Sequence, residues 1–362
     1  MRTRKPPEDG SSRLREAYKR RGIVLVLGSG VSAGSRLPMW RELLNRVFID
    51  INEGAEPHPK LSEMTAPEFA SLLKHQARPL PEEGLSQDEA FAAKVQAALY
   101  RDLGWPLFRE LHAHNAADFV KLIDDRNSTL RAVSAMCVHR GTDRFEPNRQ
   151  VKAVVTFNLD NLLQAHSRAK YAERFEREPV SGTRSELLLL RTVERSSSST
   201  RVDKISVFHM HGMVRFDKKL SDKEKHAPDQ MVLTEQDFFD AFNNPTSIFT
   251  YTFLHLLREH TAVFIGLSMH DENLRRLLHY SQKERQQSFT AEGVTDPRTV
   301  ELETRRHVAL LETSGSPDVD SATEATLGLL GVHVIWMDDF SRIPEHLAKV
   351  YGAGWESVFA KL

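Results

Sequence analysis

Three polar side chains of this sequence lie at the ends of apolar runs. Asn158 and Asp160 come directly after the run 151–156, and His211 ends the run 207–211. An amide and a carboxylate two residues apart can point into one crevice, and an imidazole with an ordinary pKa of about 6.5 suits general-base work near neutral pH. Structural alternatives stay open, because Asn158 or Asp160 could cap a helix and a histidine is often only a satisfied polar side chain.

Two neighbours of His211 bear on its role. Gly212 follows it, which leaves room for a ligand, and His209 lies one strand period earlier. His209 either shares the face of His211 or simply packs. At a strand end, His211 is expected to face a ligand rather than the packed interior, so its truncation should open no large cavity.

A glycine-rich turn follows the run 23–27. Gly28 and Gly30 would let backbone N–H groups approach a diphosphate, and the N-terminus of a following helix would add a favourable dipole. Such a turn is also a common packing device. Its spacing departs from G-x-G-x-x-G because position 33 is alanine and the next glycine is Gly34. The turn by itself therefore indicates diphosphate binding only weakly.

Another glycine ends the run 262–266. Gly266 permits close approach, and Ser268 or Asp271 could bind a ribose or a phosphate, or cap the next helix. Capping is the favoured interpretation for Asp271, because an amphipathic pattern follows it directly.

The elements that position these groups are apolar runs without alternation, which are typical of strands buried on both faces of a parallel sheet. Such runs occupy residues 23–27, 151–156, 207–211, 262–266, 306–311 and 332–336. Helical stretches separate them, so the sequence predicts an α/β fold with a doubly wound, Rossmann-like parallel sheet. Ligands bind such sheets at the carboxyl ends of the strands, where all the polar groups described above should meet.

Between two of these strands the pattern changes to helical spacing. We therefore predict a helical insertion over 54–147. The other predicted divisions are a lead-in with a helix (1–22), a binding domain in two pieces (23–53 and 148–345) and a C-terminal helix (346–362). Smaller predictions are a helix over 271–280, loops over 196–200, 218–226 and 283–298, a helical stretch 238–259 broken at Pro245, and a closing helix over 344–362.

Composition excludes several classes of protein. The 362 residues contain 49 basic and 50 acidic side chains, so bulk charge does not indicate nucleic-acid binding, and a local basic groove stays open as an alternative. The lone Cys137 excludes a disulfide framework and any zinc site that this chain makes from three or four cysteines. No apolar run is long enough to span a bilayer, and residues 1–10 do not resemble a signal peptide. The expectation is a soluble protein of a reducing compartment, the cytoplasm.

The joint pattern resembles the sirtuin family. The glycine-rich turn with its trailing Pro38 and Trp40 is similar to the sirtuin glycine motif, and the segment from Thr156 to Asp160 resembles the sirtuin Thr-x-Asn-x-Asp motif. His211 with Gly212 matches the catalytic histidine–glycine pair, and Gly266, Ser268 and Asp271 resemble the Gly-x-Ser-x-x-Asp signature of a bacterial sirtuin-like branch. These matches occur in the family's order, from about residue 23 to 340.

The resemblance implies NAD as a substrate and a role for each matching residue. Asn158 would position water or the ribose hydroxyls, Asp160 the nicotinamide carboxamide, and His211 would act on a ribose hydroxyl or the water. The remaining matches would bind the dinucleotide: Gly28, Ser29, Gly30, Ser32, Pro38, Trp40, Thr156, Gly266 and Ser268.

The sequence departs from the deacetylase branch because a single cysteine cannot form its four-cysteine zinc module, so no structural zinc is expected. The helical segment 54–147, alone or together with residues 172–203, would take the place of that module. The resemblance is closer to sirtuin-like NAD hydrolases of bacterial anti-phage defence. It implies an NAD+ hydrolase that is restrained by self-assembly or by a partner such as a HerA-type ATPase. The alternatives are an NAD-dependent deacylase or ADP-ribosyltransferase, and a non-catalytic NAD or ADP-ribose sensor.

Overall fold

The structure, a computed structural model, describes residues 10–79, 86–138, 146–175, 189–193, 203–218, 231–242, 248–293, 300 and 304–350. The strands are β1 (Ile23–Leu27), β2 (Val151–Thr156), β3 (Leu190–Val193), β4 (Ile205–His209), β5 (Thr261–Ile265), β6 (His307–Glu312) and β7 (Val332–Met337). The helices are α1 (Gly10–Arg20), α2 (Gly30–Ala33), α3 (Trp40–Ile51), α4 (Ala66–Gln76), α5 (Gln87–Tyr100), α6 (Ala113–Arg126), α7 (Ser128–Met136), α8 (Leu162–Phe175), α9 (Glu235–Phe242), α10 (Ile248–Glu259), α11 (Glu272–Ala291), α12 (Pro317–Leu329) and α13 (Ile343–Lys349), with 3-10 turns at Pro59–Glu63 and Phe340–Arg342.

All seven strands are parallel and form one sheet in the order β3-β4-β2-β1-β5-β6-β7. The chain first places β2, β3 and β4 on one side of β1, with β4 between β2 and β3, and then returns to place β5 on the other side of β1. This reversal makes a topological switch point, where open α/β sheets form their ligand crevice. The predicted doubly wound α/β fold is confirmed.

Both faces of the sheet are buried, which explains the runs without alternation. Leu25 and Leu27 of β1 pack into the core that contains helices α3 to α8, whereas Val24 and Val26 pack into the core that contains α10 and α11. Full burial of such a side chain contributes about 1.5–3 kcal/mol. A polar substitution at either set of positions would therefore face a packed core.

The segment 54–147 folds into helices α4 to α7 in its described part. Two of them begin with a capping box, formed by Thr65 with Glu68 and by Ser86 with Glu89. Their buried side chains, Phe69 among them, belong to the same core as Leu25 of β1. The helices thus form a layer on the sheet, and the domain boundaries at 54 and 147 stay a prediction.

The structure corrects the sequence-based elements in several places. The predicted loop over 283–298 is wrong in its first part, because α11 continues to Ala291. The second half of α11 buries polar side chains, and Arg285 Nη2 lies 2.7 Å from His307 Nε2 of β6. A helix face that buries polar groups shows no apolar periodicity, so the predicted helix ended at residue 280, before the observed end of α11.

Three further elements were not predicted. Strand β3 lies at the edge of the sheet, where Arg191 and Thr192 are only half-buried, so it shows no apolar run. Helices α8 and α12 were also missed. The predicted helical stretch 238–259 overlaps α9 and contains α10. Four other predictions lie outside the described residues: the break at Pro245, the loop over 196–200, most of the loop over 218–226, and the end of the closing helix. Among the described helices, none has both the length and the apolar character needed to cross a membrane.

Candidate active site at the carboxyl ends of β1 and β2

A narrow crevice lies where β1 and β2 end. The register pairs Leu27 with Thr156, so the segments that follow the two strands start at one level. Six of the predicted site residues line this crevice: Ser29, Ser32, Pro38, Trp40, Asn158 and Asp160. Its volume of about 20 Å³ is close to what one water molecule requires.

Ser32, Asn158 and Asp160 form a hydrogen-bonded cluster in the crevice. Ser32 Oγ donates to Asp160 Oδ2 at 2.7 Å, and Asn158 Nδ2 donates to Ser32 Oγ at 3.3 Å. Asp160 Oδ1 also accepts from the backbone N–H of Leu162 at 3.0 Å, so Asp160 caps the start of α8 as well as lining the crevice. The capping and ligand-facing interpretations of Asp160 are therefore compatible.

The amide oxygen of Asn158 differs from the rest of this cluster. Asn158 is 8% exposed, and its Oδ1 has no hydrogen-bond partner among the described residues. A buried polar atom without a partner costs free energy of about 1–3 kcal/mol. Such an atom on a crevice wall is suited to a ligand that donates a hydrogen bond.

His209 holds the backbone of Asn158 in place. Its Nδ1 lies 3.2 Å from Asn158 O, and its Nε2 lies 2.6 Å from Gln164 Nε2. Burial lowers the pKa of His209 to about 4, so the ring is neutral at physiological pH and can donate from Nδ1 while it accepts at Nε2. Of the two interpretations left open by the sequence, packing is the one the structure supports for His209.

His211 lies just past β4 and is enclosed by aromatic rings. The ring centroids of Trp40, Phe157 and Phe238 lie 5.3, 5.3 and 5.2 Å from that of His211, all at steep angles. The side chain is 3% exposed. The expectation that its truncation opens no cavity is therefore wrong. Trp40 contacts His211 and also lines the crevice with Asn158 and Asp160, whereas His211 itself is not among the described residues that line the crevice.

The glycine-rich turn packs against the turn after β5. The N–H groups of Gly28 and Gly30 donate to Ile265 O and Gly266 O at 2.9 and 3.0 Å. A Cβ on Gly30 would lie 2.8 Å from Gly266 Cα. The expectation that these two N–H groups serve a diphosphate is thus not what the structure shows, because they are engaged in joining the two turns.

The remaining predicted residues lie around this framework. Thr156 Oγ1 accepts from Asn158 N at 3.1 Å, and Ser29 Oγ donates to Met39 Sδ at 3.0 Å. Ser268 is exposed and lies outside the crevice lining, so its proposed contact with a dinucleotide stays a prediction. Asp271 Oδ1 accepts from Leu274 N at 2.7 Å, which makes Asp271 the N-cap of α11, as favoured from the sequence.

Two supporting residues were not found from the sequence. Asn127, the N-cap of α7, donates from Nδ2 to Val31 O at 2.8 Å and to Ser35 Oγ at 2.9 Å, so it ties the helical layer to the glycine-rich turn. Asn161 is bonded on both sides of its amide, since Tyr100 donates to its Oδ1 and its Nδ2 donates to Asp217. An N-cap pattern at Asn127 followed by serine was a usable signal, whereas the bonds of Asn161 depend on distant segments.

Two aspartates near the crevice should respond to pH in opposite directions. Burial raises the pKa of Asp160, although hydrogen bonds from Ser32 and Leu162 oppose the shift. Burial also raises the pKa of Asp217, but hydrogen bonds and charges from Arg215 and Arg168 outweigh it and bring the pKa to about 2.

The direction of each effect on stability follows from the pKa difference between the folded and the unfolded protein. Ionisation of Asp160 costs stability as pH rises from the ordinary carboxyl range, so Asp160→Asn should raise Tm at neutral pH relative to wild type. The stabilisation from Asp217 is present above the ordinary carboxyl pKa and is lost as pH falls towards 2, so Asp217→Asn should lower Tm at neutral pH. Thermal melts of both variants from acid to neutral pH test this, and shifts of the same sign at neutral pH would contradict it.

Comparison with known proteins is consistent with this site. Residues 152–316 match the family model described as the SIR2-like domain, a stretch that begins in β2 and contains Asn158, Asp160, His211 and Gly266. No curated protein matches the chain significantly. The described residues hold no group of three or more His, Cys, Asp or Glu side chains that could bind a metal ion. The match over residues 152–316 confirms the resemblance of the chain to the sirtuin-like family.

Proposed function

We propose that this chain is an NAD+ hydrolase that cleaves the nicotinamide N-glycosidic bond and releases nicotinamide and ADP-ribose. A SIR2-like domain suggests NAD binding or NAD processing. The observation that carries the proposal is the buried, unpartnered Oδ1 of Asn158 beside Asp160 on the crevice wall. An amide in this position can accept a hydrogen bond from a water molecule or a ribose hydroxyl.

The reaction places specific demands on the crevice. The bond between the ribose anomeric carbon and the nicotinamide nitrogen breaks, and nicotinamide leaves with the electron pair. Water then adds its oxygen to the anomeric carbon and loses a proton. Asn158 Oδ1 would orient that water or a ribose hydroxyl, and exclusion of bulk water by Trp40 and Pro38 would strengthen each contact.

Asp160 would hold the carboxamide of nicotinamide. It is bonded to Ser32 in the structure, and the crevice volume is only about 20 Å³, so binding of a dinucleotide requires the crevice to widen. The crevice can widen if the Ser32–Asp160 hydrogen bond is exchanged for hydrogen bonds to the ligand. This exchange costs little free energy, because neither buried group is then left without a partner. Ser29, Ser32, Gly266 and Ser268 would border the rest of the dinucleotide.

His211 would take the proton from a ribose hydroxyl or from the attacking water. Its ring lies among Trp40, Phe157 and Phe238, so an alanine substitution mixes lost chemistry with lost packing. His211→Phe keeps a ring in the same surroundings and removes both nitrogens. We expect nicotinamide release per folded molecule to fall about 10²–10⁴-fold. Circular dichroism melts should show a smaller effect than His211→Ala, and wild-type activity in His211→Phe would contradict the proposed role.

Incubation of pure protein with NAD+, followed by chromatography of nicotinamide, separates the candidate functions. Release without any acyl-peptide supports hydrolysis. Release only with an acyl-peptide would identify a deacylase, and ADP-ribose attached to protein would identify a transferase. Tight binding with no release would identify a sensor. Each of the last three results would overturn the proposal.

An NAD+ hydrolase that acts without restraint would deplete the cell that makes it. We therefore propose that self-assembly or a partner chain, such as a HerA-type ATPase, restrains this protein, in keeping with a role in anti-phage defence. Activity measured with and without the product of a neighbouring gene, together with the oligomeric state in solution, tests this part of the proposal.

A further inference from the structure

The chain after β4 contacts the loop that carries two of the proposed catalytic residues. Val214 N donates to Leu159 O at 2.6 Å, and Leu159 lies between Asn158 and Asp160. Val214 also forms an isolated parallel bridge with Asp160. The backbone of the segment 213–218 is therefore joined to the peptide that carries both of these side chains of the crevice, so a shift of this segment would move them.

Helix α5 of the helical layer contacts the same segment through two side chains. Gln96 Nε2 donates to Arg215 O at 2.5 Å and to Lys218 O at 2.8 Å. Tyr100, one helical turn later, is hydrogen-bonded to Val214 O at 2.6 Å. Positions four residues apart lie on the same face of a helix, so one face of α5 is bonded to three carbonyl groups of the segment.

Gln96 is buried, and its amide nitrogen makes both of these contacts. The side chain is 2% exposed, and the nitrogen carries two N–H groups, one for each carbonyl oxygen. A buried amide that loses its acceptors destabilises the folded state, because on folding it exchanged bonds to water for these acceptors. Within the same helix, Leu99 lines the crevice beside Asn158 and Asp160. Helix α5 therefore reaches the crevice directly and also through the segment 213–218.

We propose that Gln96 is a positioning residue for Asn158 and Asp160, which it holds through the backbone of the segment 213–218. The proposal deepens the NAD+ hydrolysis proposed above and rests on it for the chemistry of the two side chains. Gln96 is not among the described residues that line the crevice, so it acts through this segment and not on the substrate. Its loss should lower kcat more than it raises KM, because a displacement of about 1 Å weakens groups that must be aligned with the reacting bond.

Gln96→Met tests this role, because methionine has a similar length and shape but no N–H group in its side chain. Asn148→Leu is the matched control. Asn148 is 3% exposed and donates from Nδ2 to Met136 O at 2.8 Å, but it lies before β2, at the end of the sheet opposite the crevice. Each variant loses a buried amide and should melt at a lower temperature than wild type. Only Gln96→Met should also lower kcat per folded molecule, by about 10–100-fold.

A double-mutant cycle with Asn158→Ala shows whether Gln96 acts through the crevice. If it does, the two substitutions together should lower kcat by less than the product of their separate effects, because the displacement of Asn158 has no further effect once its side chain is truncated. Asn148→Leu should leave kcat unchanged in both backgrounds. A kcat of Gln96→Met near wild type, or a combined loss equal to the product, would overturn the proposal.

Amide hydrogen exchange distinguishes failure of this proposal from failure of the proposed function, since it requires no NAD+. In Gln96→Met, peptides that cover 158–162 and 211–218 should exchange at least about tenfold faster than in wild type and in Asn148→Leu, because their hydrogen bonds open more often. If exchange is faster but wild type releases no nicotinamide, the link between Gln96 and the crevice is supported and only the proposed function fails. Unchanged exchange in both peptides would overturn the proposal at any level of activity.

Discussion

Asn158→Ala is expected to lower nicotinamide release from NAD+ by about 10²–10³-fold, the cost of removing one positioned polar group from an active site. Its effect on folding should be small. The substitution removes the Nδ2 hydrogen bond to Ser32 Oγ, but it also removes the buried Oδ1 that has no partner. These two contributions to the free energy of unfolding have opposite signs, and each is about 1–3 kcal/mol at most.

Asn161→Ala is the matched control. Asn161 is equally buried and only three residues away, but Tyr100 donates to its Oδ1 and its Nδ2 donates to Asp217 Oδ1. Its truncation breaks these bonds and should cost about 1–3 kcal/mol of stability while the activity of the folded fraction stays near wild type. Melts and nicotinamide release per folded molecule should therefore give opposite results for the two variants. Loss of stability without loss of activity in Asn158→Ala would contradict the proposed site.

Gly266→Ala is expected to destabilise the protein. The loss should exceed that of a glycine-to-alanine change at a position that has a similar φ but open surroundings. Gly266 has φ +67°, and an added Cβ would lie 2.6 Å from Val31 N and 2.9 Å from Gly30 Cα. The left-handed conformation alone costs an alanine about 1–2 kcal/mol. The contact with backbone atoms adds to this, because the two turns must move apart. The same movement displaces Ser32, so activity should fall as well.

Gly293→Ala separates conformational strain from contact. Gly293 has φ +65°, and no atom of the described residues lies within 4 Å of an added Cβ, so the substitution is expected to cost only the conformational strain. We expect a modest drop in Tm and unchanged activity for Gly293→Ala, against a larger drop and reduced activity for Gly266→Ala. Equal drops in Tm for the two variants would show that the two turns can separate without cost.

Much of the framework was predictable from local patterns. The apolar runs of β1, β2, β4 and β5 indicated strands buried on both faces, since a strand between two packed layers has apolar side chains on each face. Once the strands are parallel, their carboxyl ends share one edge, so the polar residues after β2 were expected in a crevice. The structure places Asn158, Asp160 and Ser32 together there.

Other features were decided only by the tertiary structure. The sequence left open whether His209 shares the face of His211 or packs. Only the structure shows that His209 supports Asn158 and that aromatic rings from three segments enclose His211. It could not show that the glycine-rich turn packs on Gly266 or that α11 continues by burying Arg285 against His307. Periodicity reports how an element's own faces are buried, whereas these properties depend on contacts between segments that lie far apart in the chain and meet only when the sheet is assembled.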